Sequence, residues 1–142
     1  MTRTATRIAR LAMVGSVTLL TAMPALAATP ADQPIQGWSA MQGTDTATLL
    51  RDVQSLSVSE QASEDQPYCA SDAEIAKTLE HDFNEMPVHA EQVDGTELWG
   101  SDQLGTWTLV AARQDQTSCI IASGIGFDDD TNAQNYYDVA GL

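Results

Sequence analysis

Gly105-Thr106-Trp107-Thr108-Leu109-Val110-Ala111-Ala112, a polar break at Arg113-Gln114-Asp115-Gln116-Thr117, then Ser118-Cys119-Ile120-Ile121-Ala122-Ser123-Gly124 is the stretch that decides the fold. Two runs rich in β-branched and apolar residues across a short polar connection read as an antiparallel hairpin. Alternation assigns Trp107, Leu109 and Ala111, with Cys119 and Ile121, to one face. Thr106, Thr108, Val110, Ile120 and Ala122 fall on the other. Upstream, Thr96 to Ser101 reads as a further strand, and Asp102-Gln103-Leu104-Gly105 turns it into the hairpin. Val88 to Val93 alternates weakly and ends at the turn dipeptide Asp94-Gly95.

A helix precedes these strands. Ser71 and Glu74 have capping-box spacing, and Asp72 and Glu74 sit in the first turn, where the helix dipole favours acids. Ile75, Leu79 and Phe83 recur every fourth residue and make one apolar stripe, and Pro87 stops the helix. The expected fold is α+β: one amphipathic helix packed on a four-stranded antiparallel meander over residues 68–127. That helix is expected to cover Trp107, Leu109 and Ala111.

Cys69 and Cys119 are the two cysteines, so one intramolecular pairing exists. In an exported chain it is expected to form, and closing so long a loop contributes roughly 4 kcal/mol on the chain-entropy view. The chain has no Cys-x-x-Cys, so a redox-active role lacks its resolving thiol.

Export is read from the first 27 residues. Arg3, Arg7 and Arg10 give a basic start, Leu11 to Thr21 is apolar, and Ala25-Leu26-Ala27 offers the small residues a signal peptidase reads. The apolar core is too short to span a bilayer, and no cysteine follows the cut to carry a lipid. The expected location is periplasmic or secreted, with no membrane attachment after cleavage. The formal net charge is −14; without the leader, Arg51, Lys77 and Arg113 face all twenty Asp and Glu, a net −17. Nucleic acid and anionic membranes are therefore excluded as partners, whereas cations and basic proteins are not.

Residues 28–67 read as a flexible segment, with Pro30, Pro34, Gly37 and Gly43 among polar residues and Trp38 exposed or docking. Within it Asp45 caps a short helix over 46–56, with Leu49, Val53 and Leu56 on one face. Residues 57–66 form a polar linker. Asp128-Asp129-Asp130 opens an acidic tail, 128–142, expected to be solvated and disordered.

Cys69, Phe83-Asn84-Glu85, Glu97-Leu98-Trp99, Gly105-Thr106-Trp107-Thr108 and Cys119-Ile120-Ile121-Ala122-Ser123-Gly124 resemble a family of small exported bacterial proteins with no established activity. The likeness spans about residues 69 to 127. It implies the fold and the staple and adds nothing about chemistry. Members often carry Gly where this chain has Asn84, a residue that also adopts a left-handed conformation at a helix end.

Candidate chemistry is sparse. His81, Glu85 and His89 are the residue types a divalent metal accepts, but a structural zinc site needs a fourth ligand and a catalytic one an organised surround, so they read first as solvent-exposed helix-end residues. Asp128, Asp130, Asn132 and Gln134 follow calcium-loop spacing, yet Ala133 replaces the turn glycine and Val139 the bidentate Glu. Ser123 lacks a nucleophile elbow, and Gly124-Ile125-Gly126 opens no helix, which removes the hydrolase and dinucleotide readings. No metal or cofactor is expected.

The partly apolar face of Thr106, Thr108, Val110, Ile120 and Ala122 is the expected contact surface, covered by the segment Thr46 to Leu56 or by another molecule. The expected role is a non-catalytic exported module that binds a protein or small ligand. A metal- or ligand-binding periplasmic protein is the alternative, and an enzyme of unrecognised type a second one.

Overall fold

The computed structural model describes residues 33–40, 42–59, 66–90, 93 and 95–142. The leader over 1–27 and residues 60–65 of the expected linker lie outside the described residues.

Among the described residues the fold is mixed, with three helices, one disulfide and a mostly antiparallel sheet. In chain order its elements are β1 (Gln36–Ser39), α1 (Thr46–Asp52, continued by a 3-10 turn, Val53–Ser55), β2 (Tyr68–Ser71) and α2 (Asp72–Asp82). Then follow β3 (Met86–Pro87), β4 (Thr96–Ser101), β5 (Thr106–Ala112), β6 (Thr117–Ile125) and α3 (Gln134–Ala140). The strands run β1-β6-β5-β4-β3, with β2 also paired to β6. The β4-β5-β6 meander is as the sequence predicts. Its expected first strand, Val88 to Val93, is instead the short Met86–Pro87 pairing against Trp99 and Gly100.

Two strands that the four-stranded expectation lacked fill the outer edge of β6. Tyr68–Ser71 takes the half from Thr117 to Ile120, and Gln36–Ser39 takes the half from Ala122 to Ile125. Residues 36–39 are thus sheet rather than tether. The contact that admits them is Gly37 opposite Gly124: a Cβ on Gly124 would collide with the Gln36 carbonyl, and one on Gly37 with the Trp107 indole.

The bulge between Leu109 and Val110 reverses the faces of β6 from Ala122 onward. Leu109 pairs with Ala122 and Val110 with Ile120, so Ile121 is the extra residue and Ala122 joins the Leu109 side. Strict alternation had placed Ala122 on the opposite face.

Each sheet face has its own cover. Trp107, Leu109, Ala111, Cys119 and Ile121 pack with Leu49 and Val53 of the α1 segment and Tyr136, Tyr137 and Ala140 of α3. Ile75 and Leu79 of α2 pack with Trp99, Val110 and Ala70, flanked by Ile120. The sequence expectation put α2 on the first face, and the register of β2 explains the reversal. Cys69 sits directly opposite Cys119, to which it is disulfide-bonded, so Ala70 points to the second face; α2 continues from Ser71 across that side. Ser118 on β6 donates to the Asp72 carboxylate at the start of α2 and fixes the crossing.

The tail expectation is also corrected. Tyr136 and Tyr137 of α3 are buried. Tyr136 stacks 5.6 Å from Trp107 and 5.4 Å from Phe127, and Tyr137 shares a 3.0 Å hydrogen bond with Thr96 Oγ1. Two aromatic rings with partners for their hydroxyls hold the segment that the run of aspartates suggested was solvated.

Candidate functional site

The site grows out of the end of α2. Asn84 takes a left-handed backbone, φ 51°, and the Glu85 N–H then donates to the Leu79 carbonyl at 2.9 Å. The chain turns back beneath the helix, and Asn84 is held by a 2.9 Å bond from its amide to Gln103 Oε1. As a result Glu85 is 1% exposed, among the most buried side chains of the molecule.

Around it lies a pocket of about 220 Å³. Leu79 and Phe83 supply the helix wall, Thr106 and Thr108 the β5 side, and Ile120, Ser123 and Ile125 the β6 side. The mouth is apolar: Phe83 is 44% exposed and Ile125 is 43% exposed. Trp38 stands opposite Ser123 on the neighbouring strand and is exposed as well.

Within this apolar setting two polar atoms are unsatisfied. Glu85 Oε2 and Thr106 Oγ1 are both buried without a hydrogen-bond partner. Burial pushes the Glu85 carboxyl above the usual glutamate range. The hydroxyls of Thr108 and Thr106 offset part of the rise, neither forming a hydrogen bond of ordinary geometry to Oε2, and no cation contributes. Leaving a buried acceptor unpaired costs about 1–3 kcal/mol, which makes the carboxyl a group waiting for a donor.

The metal candidates separate. His81 and His89 are exposed, whereas Glu85 is buried under the helix. Among the described residues, the one group of three acids or histidines with ligand atoms within 4.8 Å of one another is Asp128, Asp129 and Asp130. Asp128 of that group and the neighbouring Asn132 amide are already engaged by the chain itself. Asp128 Oδ1 accepts from the Asp130 N–H at 2.9 Å, and Asn132 Oδ1 accepts from the Gln134 N–H at 2.9 Å. Gln134 is already the first residue of α3, so the expected calcium spacing folds into a helix start.

The expected contact face is divided. Val110 is covered by α2, with Ile120 packed against that cluster, and Ala122 belongs to the opposite core. Thr106 and Thr108 line the pocket. Sequence reasoning singled out Glu85 with the wrong companions. The signal that finds its real ones is the pair of hydroxyls at Thr106 and Thr108, two apart on one strand face, together with an Asn able to turn the chain at a helix end.

A larger cleft, about 550 Å³, lies between Ser39, Ala40 and residues 42–45 on one side and the end of α3 on the other. Its carboxyl, Asp45, is exposed and already accepts the Thr48 N–H at 3.1 Å as the cap of α1. Among its described residues that cleft presents no buried unpaired group, so its size carries less than the smaller pocket's chemistry. No family profile, curated protein or solved structure matches this chain.

Proposed function

We propose that the protein is a non-catalytic exported module that acts by binding, and that its binding site is the pocket beneath the C-terminal end of α2. The observation that carries this reading is Glu85 Oε2, buried and unpaired at an apolar pocket with an open rim. A purely structural core gains nothing from such a group, because an apolar residue of similar shape there removes the desolvation cost. A binding site gains orientation and specificity from one well-placed polar group among apolar walls. Export is supported by the leader pattern and by the Cys69–Cys119 disulfide, which persists in oxidising compartments. No helix among the described residues is long and apolar enough to cross a membrane.

Amide chemical-shift mapping of the oxidised chain against a library of small apolar fragments tests the location. Shifts clustered at Glu85, Thr106, Thr108 and Ser123 are the expected outcome. Shifts confined to the cleft beside Asp45, or scattered over the surface, contradict it. A Ser123→Trp substitution, which fills the pocket from its rim, is expected to abolish the clustered shifts.

A further inference from the structure

Resting on the pocket assignment above, we infer that the ligand is a compact organic amine, its protonated nitrogen seated on Glu85 and its apolar body held between Leu79, Phe83, Ile120 and Ile125. An ionised carboxylate only accepts hydrogen bonds, so the group that completes Oε2 must donate. Among the described residues no cation faces it. The pocket lining contains no Lys, Arg or His, and the Arg113 guanidinium is paired 3.2 Å from Asp115 instead. A charge-assisted bond from an ammonium is about twice as strong as a neutral one and offsets part of what burial of the carboxyl costs.

Charge at long range points the same way. A chain of net charge −14 attracts cations to its surface and repels carboxylates and phosphates. The walls select against bare inorganic cations and strongly hydrated polyols, because Leu79, Phe83, Ile120 and Ile125 offer only apolar surface. Thr106 Oγ1, the second unpaired atom, is both donor and acceptor and can take one of the remaining ammonium hydrogens. At about 220 Å³ the pocket falls below the about 300–1,000 Å³ of drug-sized sites, so the amine is small.

Phenethylamine, 2-phenylethanol and 3-phenylpropionate share one skeleton and differ in the terminal group, which makes them a direct probe. Each is titrated into the full oxidised chain at neutral pH and followed by amide shifts and calorimetry. The amine is expected to bind at least tenfold tighter than the alcohol, with shifts at the pocket, and the carboxylate to bind least. Glu85→Gln is expected to lower amine affinity tenfold or more and to lower alcohol affinity by much less. Equal binding of amine and alcohol overturns the inference on the wild-type chain alone, whether or not the variant folds. So do amine shifts located at Asp128–Asp130 in place of the pocket. If the alcohol shifts the pocket amides and the amine has no advantage, the pocket stands and the amine fails; if no probe moves those amides, the pocket assignment itself fails.

Discussion

Asn84 has to hold a left-handed backbone for Glu85 to return beneath α2, and that requirement is testable by substitution. Glycine reaches φ 51° freely, so Asn84→Gly is expected to fold with little change, losing only the bond to Gln103. Asn84→Ala places an ordinary side chain in the left-handed region and is expected to cost about 1–2 kcal/mol in urea unfolding. Glu85 carries a pH signature. Its folded pKa is raised by burial, so the folded state holds the proton more tightly than the unfolded chain. The stability this provides is complete below the unfolded glutamate value and is lost as pH rises through the folded value. Glu85→Gln is therefore expected to flatten the decline in stability across that window and to gain on the order of 1 kcal/mol at neutral pH. A variant whose stability falls with pH as the parent's does contradicts the assignment.

At the scale of elements, the sheet is held by two additions to its central hairpin. Trp107 against Gly37 and Gly124 binds β1, and Gly124→Ala is expected to free that strand, seen as rapid amide exchange over residues 36–39 while β4 and β5 stay protected. The disulfide closes a sequence separation of 50, and replacing both cysteines by Ala is expected to cost roughly 4 kcal/mol in urea unfolding. The hairpin, α2 with its Ser71 cap, and the short helix behind Asp45 were legible because each rests on local signals: alternation, a four-residue apolar repeat, and capping spacing. What was not legible depends on pairing between distant segments. Nothing local in Gln36–Ser39 says that Gly37 meets Gly124, and the run of aspartates before α3 hides two tyrosines that find Trp107 and Thr96 only in three dimensions. The side of the sheet that α2 covers follows from the Cys69–Cys119 register, which a pairing known only as a pairing does not supply. For the same reason Glu85 stood out as a residue type, while its place between Thr106 and Leu79 did not.

The described residues form a single sheet with a helical layer on each side, and the two layers serve different ends. The Trp107 side, closed by α1 and α3, is a continuous apolar core. On the α2 side the cover is shorter than the sheet, and the uncovered end of β5 and β6 leaves the pocket where Glu85 is buried. Among the described residues this strongly acidic domain keeps one carboxyl out of water and unpaired while the other acids lie mostly at the surface. The most direct test of that central claim is the titration of the Glu85 side-chain carboxyl by carbon-13 NMR, free and with phenethylamine. The account predicts a midpoint above the ordinary glutamate value in the free protein that falls when the amine is added. An ordinary midpoint in the free chain, unmoved by the amine, contradicts it.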